Sequence, residues 1–162
     1  SAVIASFLFS SCQSAPHLST SESQLNGYWA LAAYDCEKGK LTKAGKDMND
    51  RLRDGKETYL YRFDGEKVTI SRKDEKCNQE LVQNWAFKNT SVTVSDVEAA
   101  PILENNTSCQ PLEKGRSRTH EFEVLGTLLR VKREEGFARI EAAKNDGQLC
   151  DKGRDIAIFS KQ

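Results

Sequence analysis

Short segments in which apolar and polar residues alternate, separated by turn signals, constrain the fold of this chain more than any other feature. The clearest pair covers residues 58–63 and 66–71, which an Asp-Gly turn separates. Such a turn between two alternating segments is the strongest short-range signal for a β-hairpin. A two-residue loop here places Tyr61 opposite Val68 on the apolar face, so turn and hydrophobic pattern predict the same register.

The same pattern continues along the chain. An Asn-Thr turn places Trp85 opposite Val94, and a Gly-Thr turn predicts a third hairpin. With an opening strand at residues 28–35, a strand at 137–142 and a last strand at 155–160, we predict an all-β fold, an antiparallel up-and-down barrel of about 8–9 strands. The side chains predicted to face its interior are Leu31, Tyr59, Tyr61, Val68, Ile70, Leu81, Trp85, Phe87, Phe122, Val131, Ile140 and Ile158.

One segment breaks the two-residue period. Leu41, Ala44, Met48 and Leu52 recur at helical spacing between polar residues, which predicts one short amphipathic helix after the first strand. Such a helix covers one end of a barrel, or gates a cavity inside it. Residues 97–117 form a long irregular connection, and a loop of this length is usually functional or held by a disulfide.

Cys12 stands at a boundary in the chain. An apolar run and two serines precede it, and a polar tract rich in Ser and Thr follows it. This order resembles the end of a bacterial lipoprotein signal peptide, with Cys12 as the lipidated residue. We therefore interpret residues 1–11 as a signal-peptide remnant, 12–24 as a lipidated flexible tether and 25–162 as the barrel domain.

The apolar run before Cys12 is far shorter than the ~20 residues of a membrane-spanning helix. The alternative is an ordinary secretory signal cut near Ala15, which would remove Cys12 and release a secreted protein. Gln13 stands where Asp would indicate retention in the inner membrane, so the resemblance implies an outer-membrane lipoprotein facing the periplasm. Both interpretations place the domain outside the cytoplasm.

Four further cysteines, Cys36, Cys77, Cys109 and Cys150, lie within the predicted domain. An even number in an exported chain of this size indicates two structural disulfides, with three possible connectivities. Because the last strand of a closed barrel lies against the first, we favour Cys36–Cys150 and Cys77–Cys109. No C-x-x-C spacing occurs and the chain has only two histidines, so we predict no metal site.

The sequence Gly27-Tyr28-Trp29 at the start of the first strand, followed by a meander of short strands, resembles the lipocalin-like (calycin) barrels of bacterial lipoproteins. The resemblance covers nearly the whole predicted domain. It implies that Trp29 lies across the closed end of the barrel, beneath an arginine near the last strand. Arg154 is the match for that arginine. No long helix follows Ser160, unlike in typical secreted lipocalins.

We predict that the protein binds a small apolar ligand inside the barrel, which the anchor, the tether and the barrel itself favour. A barrel of about eight strands has room for side chains alone or for one small ligand. The alternative is a protein-interaction module, such as a periplasmic inhibitor or envelope assembly factor, with a filled barrel that contacts its partner through loop 97–117. The residues predicted to line a pocket are Tyr59, Tyr61, Gln83, Trp85, His120 and Phe122.

Charge and histidine content argue against other classes of function. The chain has 24 basic and 24 acidic residues, so no net field attracts it to nucleic acid. Catalysis needs a nucleophile beside a base, a carboxylate pair in a cleft or a metal, and the sequence indicates none of these. We therefore predict a monomer that is not an enzyme and that has no cofactor.

Overall fold

The computed structural model describes residues 21–75, 77–99, 117–133 and 147–162, and for residues 94–99 it describes the backbone alone. Several predictions fall outside this part of the chain: the lipid anchor at Cys12, the half-cystine Cys109, nearly all of loop 97–117 and the strand at residues 137–142.

The described part of the chain forms a closed antiparallel β-barrel in which each strand pairs with the next and the last pairs with the first. The predicted fold class is confirmed, with eight strands and a helix after the first strand. In chain order, the elements are α1 (Glu22–Leu25), β1 (Gly27–Leu41), α2 (Lys43–Arg53), β2 (Thr58–Asp64), β3 (Lys67–Lys73), β4 (Asn78–Lys88), β5 (Ser91–Ala99), β6 (Ser117–Leu125), β7 (Leu128–Lys132) and β8 (Cys150–Lys161).

The first predicted hairpin forms, but its register differs by two residues. Tyr61 pairs with Ile70 and not with Val68, because the turn consists of Gly65 and Glu66. Gly65 has a φ of 58°, a backbone conformation that glycine adopts without steric cost. A shift of two residues keeps the same side chains on the inner face, so the hydrophobic pattern is satisfied in both registers.

The second predicted hairpin is confirmed with its register, since Trp85 pairs with Val94. The third hairpin is also confirmed. In the last strand the predicted phase is wrong. Phe159 pairs with Leu129 and is 1% exposed, so Phe159 is the core residue, and the half-buried Ile158 is not in the buried core.

The three hairpin turns, α1 and the end of β8 lie at one end of the barrel, which we call the turn end. Its interior is filled by aromatic side chains. The ring of Phe63 meets the edges of the Trp85 and Phe122 rings, with centroids 5.3 Å and 6.0 Å away. Trp29 is fully buried beside them. Burial of these large side chains provides the main stabilisation of this half of the barrel.

Helix α2 lies at the opposite end, which we call the helix end. β1 pairs with β2 only as far as Ala30, and further along β1 the side chain of Asn49 from α2 takes the place of a neighbouring strand. Its Oδ1 accepts a hydrogen bond from the backbone N–H of Tyr34 at 2.7 Å, and its Nδ2 donates to the Tyr34 carbonyl at 3.0 Å. The separation of β1 from β2 is therefore stabilised by α2.

A disulfide between Cys36 and Cys150 joins β1 to the start of β8 at the helix end, with Cα atoms 5.8 Å apart. This pairing was predicted and is confirmed. Cys77 is also disulfide-bonded, and its predicted partner, Cys109, lies outside the described residues.

Helix α1 begins at Glu22, three residues before the predicted start of the domain. In the described ranges, no helix has the length and apolar character needed to cross a membrane.

Candidate functional site

The six residues predicted to line a pocket do not form one site. Trp85 and Phe122 are 6% and 3% exposed and belong to the packed core of the turn end. Gln83 and His120 are buried in the barrel wall. Tyr59 and Tyr61 are half-buried towards the helix end, and of the six only Tyr59 lines the cavity described next.

A cavity of about 410 Å³ opens at the helix end, where β1 and β2 separate. This volume is at the lower end of the range for small-molecule sites in proteins. The cavity is partly open to solvent. It is lined by Ala30, Leu31, Leu52, Glu57, Thr58, Tyr59, Leu60, Ser71, Arg72, Lys73 and Asn78.

The apolar wall of the cavity comes from three elements. Leu31 of β1 and Leu52 of α2 are buried, and Tyr59 of β2 packs against the core. Leu52 belongs to the helical stripe that the sequence predicted, so the apolar face of α2 covers this cavity.

The polar wall contains three charged side chains: Lys73, which is exposed, and Glu57 and Arg72, whose charges are compensated. Glu57 Oε1 accepts a hydrogen bond from Arg51 Nε at 2.7 Å, and the Glu57 side chain is 11% exposed. Arg72 Nη2 donates to Asp74 Oδ2 at 2.9 Å. The second carboxylate oxygen of Glu57 and the Nε of Arg72 are buried and have no hydrogen-bond partner.

Tyr59 and Arg72 form a stacked pair on this wall. The guanidinium of Arg72 lies 5.6 Å from the centre of the Tyr59 ring, a cation–π geometry. Burial raises the pKa of the Tyr59 hydroxyl well above its usual value, although the charge of Arg72 opposes the rise. The hydroxyl therefore keeps its proton and can donate a hydrogen bond.

Sequence reasoning missed Glu57 and Arg72, although a signal was present. Both share the alternation phase of the inward residues of their hairpin: Glu57 precedes Tyr59 by two positions, and Arg72 follows Ile70 by two. A charged residue in the apolar phase of a strand near the mouth of a barrel marks a partly polar wall.

A second group of polar side chains is buried near the helix end, on the side of β8. Arg133 forms an ion pair with Asp155, and their side chains are 13% and 3% exposed. Arg133 also lies 5.1 Å from the centre of the Tyr34 ring. Burial, together with the charges of Arg133 and Arg118, lowers the pKa of His120 to about 4, so this imidazole is neutral at pH 7.

At the turn end, the cation above Trp29 is Lys161. Its Nζ lies 5.2 Å from the ring centre, and Trp29 pairs with Lys161 in the β1–β8 register. Trp29 Nε1 donates to the carbonyl of Leu25 at 2.8 Å. Gly27, which opens β1, has a φ of 117°, a backbone conformation that favours glycine.

The assignment of Arg154 to a position above Trp29 is therefore wrong. Arg154 precedes Lys161 by seven residues, which corresponds to about 23 Å along a strand. It bonds instead to Glu37, with Nε to Oε2 at 3.1 Å. The hydrogen bond from Arg154, together with Lys132, lowers the pKa of Glu37 to about 2. Arg154 thus belongs to an ion-pair network on the wall of the barrel near the helix end.

Comparisons with protein-family models, with curated proteins and with solved structures found no match to this chain.

Proposed function

We propose that this protein is an extracytoplasmic binding protein of the lipocalin-like type and that a small, largely apolar ligand occupies the cavity at the helix end. The observation that carries the proposal is this cavity of about 410 Å³ beneath α2, with Leu31, Leu52 and Tyr59 on its wall. Apolar walls with a few placed polar groups are typical of small-molecule sites in proteins.

The less exposed part of the wall favours a neutral ligand over a charged one, since its third charged residue, Lys73, is exposed to solvent. Glu57 and Arg72 each have a counter-ion, Arg51 and Asp74 respectively, so a charged ligand would bring an additional charge into a partly desolvated site. A neutral hydroxyl or carbonyl group can meet the polar wall without that penalty. We therefore propose a neutral ligand with an apolar body and a small polar group.

Helix α2 supports a role as the cover of this site. Its N-terminal end is fixed, since the backbone N–H of Thr42 donates to the Leu149 carbonyl at 2.9 Å and Gly45 packs directly against that carbonyl. Its other end carries Leu52 and is joined to β2 by a short connection. We propose that the ligand passes at the Leu52 end.

Titration with three eight-carbon probes tests the proposal. We expect 1-octanol to bind more tightly than octanoate or octylamine, with shifts of the Leu31 and Leu52 methyl signals in NMR. Leu52→Asp should weaken octanol binding by at least tenfold, because it places a carboxylate on the apolar wall. Ala86→Asp is the control, since Ala86 is exposed on β4, away from the cavity, and should leave binding unchanged.

The absence of binding by all three probes would contradict the ligand proposal. It would favour the second candidate, a protein-interaction module, which the filled interior of the turn end supports. Tighter binding of octanoate or octylamine than of octanol would leave the site in place and overturn the neutral character of its ligand.

The position of the protein in the cell is part of the proposal. We propose that Cys12 carries a lipid anchor and that the barrel faces the periplasm from the outer membrane; the sequence around Cys12 supports this. In the native cell, the mature protein should partition into detergent, and Cys12→Ser should move it to the soluble fraction. A mature N-terminus beyond Cys12 would contradict the anchor.

A further inference from the structure

The most exposed large apolar side chains of the described residues all lie at the turn end. Leu125, Tyr28 and Leu128 are 50%, 47% and 42% exposed. Leu125 and Leu128 face each other across the β6–β7 turn. Elsewhere in the described barrel, large apolar side chains are buried or half-buried, so these three form a distinct surface, which we call the apolar strip.

The strip spans the neighbouring strands β6, β7, β8 and β1, with Ser160 of β8 between its two parts. Leu128 pairs with Ser160 of β8, and the backbone N–H of Gln162, directly after β8, donates to the carbonyl of Tyr28 at 3.0 Å. β8 alone therefore separates Leu128 from Tyr28. Because adjacent strands are about 4.8 Å apart, the two side chains belong to strands roughly 10 Å apart.

The polypeptide reaches the barrel at this same end. Helix α1 ends at Leu25, whose carbonyl bonds to Trp29 beneath the turn-end surface. From Cys12 to Ser21 the chain spans nine residues, which reach at most about 30 Å. A barrel attached to a bilayer through Cys12 thus has the start of α1, at its turn end, within about 30 Å of the lipid.

We propose that the apolar strip formed by Tyr28, Leu125 and Leu128 docks on the bilayer that carries the anchor, so that the cavity at the helix end points away from the membrane. This inference rests on the anchor proposed at Cys12. A short tether keeps the strip at an effective concentration of the order of millimolar, so a weak affinity for lipid is sufficient.

Cations around the strip suit a phospholipid surface. The guanidinium of Arg62 lies 6.0 Å from the centre of the Tyr28 ring and is paired with Asp64 at 3.1 Å, and Lys161 is exposed at the same end of the barrel. Tyrosines and leucines at the level of the headgroups, next to basic side chains, are typical of proteins that lie on a membrane. The consequence is that the ligand exchanges with the aqueous space and not with the lipid directly beneath the barrel.

Tryptophan reporters test the orientation independently of natural lipidation. The chain, coupled through Cys12 to maleimide-phosphatidylethanolamine in phosphatidylcholine vesicles, would carry either Leu125→Trp or Lys46→Trp. Lys46 is exposed on α2 at the helix end and is the matched control. With brominated phosphatidylcholine, we expect quenching and a blue shift of the Leu125→Trp emission and no change for Lys46→Trp, after subtraction of the wild-type signal.

A second pair of variants tests the strip itself. With Tyr28→Trp as the reporter, Leu125→Ser combined with Leu128→Ser should lower the ratio of docked to free barrels by at least tenfold, because two apolar side chains no longer enter the lipid. Equal quenching at both ends, or none at the turn end, would overturn the docking proposal. If the vesicle-coupled chain docks but Cys12 carries no lipid in the cell, the apolar strip is supported as a membrane-binding surface, and the proposed anchor at Cys12 is contradicted.

Discussion

Acidification between pH 7 and pH 4 is expected to destabilise this protein through His120. The imidazole is 8% exposed on the inner face of β6. Burial lowers its pKa from 6.5 to about 4, and the charges of Arg133 and Arg118 act in the same direction. Protonation of His120 in the folded state would place a third positive charge in the barrel interior, beside two arginines.

The sign of the effect follows from the two pKa values. Between pH 6.5 and pH 4, the unfolded chain binds a proton at His120 and the folded chain does not, so the free energy of unfolding decreases as the pH falls through this window. One pKa unit corresponds to about 1.4 kcal/mol, and the whole window therefore accounts for roughly 3 kcal/mol. Above pH 6.5 the contribution of His120 no longer changes.

Urea denaturation of the wild type and of His120→Gln, at pH 7, 6, 5 and 4, isolates this contribution. Carboxylates titrate in both proteins, and their effects cancel in the difference. The difference in free energy of unfolding should move by roughly 2–3 kcal/mol in favour of the variant between pH 7 and pH 4. Parallel stability curves, or a wild type that gains stability relative to the variant on acidification, would refute the reasoning.

Three substitutions test the rest of the architecture. Gly45→Ala places a Cβ 2.3 Å from the carbonyl oxygen of Leu149, so α2 must move outwards. We expect the free energy of unfolding to fall by about 1–3 kcal/mol in urea denaturation, and octanol to bind more weakly. Alanine at an exposed α2 position should change neither quantity. Trp29→Phe keeps an aromatic ring but leaves the Leu25 carbonyl, at the end of α1, without the hydrogen bond from the indole N–H. It should lower the free energy of unfolding by about 1–3 kcal/mol. An unchanged free energy of unfolding would show that water replaces the indole as the donor. Removal of the Cys36–Cys150 disulfide by double substitution with alanine opens a loop with a sequence separation of 114, and should cost about 4–5 kcal/mol in the chain-entropy model, measured by denaturation against the oxidised wild type.

The hairpins were predictable because turn chemistry and side-chain alternation are both local. Alternation identifies the inner face of a strand, but it does not distinguish registers that differ by two residues. For this reason the partner of Tyr61 was assigned wrongly, although its face was right. In the last strand, four consecutive apolar residues at 156–159 carry no alternation, so the choice of Ile158 over Phe159 had no physical basis in the sequence.

The candidate site was not predictable in the same way, because it depends on a contact between distant segments. The sequence indicated the apolar stripe of α2, including Leu52. It did not indicate that Asn49 would bond to the backbone of Tyr34, 15 positions away, and hold β1 apart from β2. The cavity exists only because β1 and β2 separate. If β2 continued to pair along β1, its backbone would occupy the space beside Leu31 and Leu52.

The two ends of the barrel differ in how their interiors are filled, and this difference supports the proposed position of the ligand. At the turn end, aromatic rings around Phe63 meet edge to face, so a ligand there would have to displace well-packed side chains. At the helix end, β1 is bound to α2 through the side-chain amide of Asn49, and to β8 through strand pairing and the Cys36–Cys150 disulfide. Strand pairing and the disulfide keep β1 and β8 together there, so this seam of the sheet does not depend on α2. The turn end is filled by aromatic rings and the sheet is closed covalently at the helix end, so the space beneath the Leu52 end of α2 is where the described barrel can accommodate a ligand.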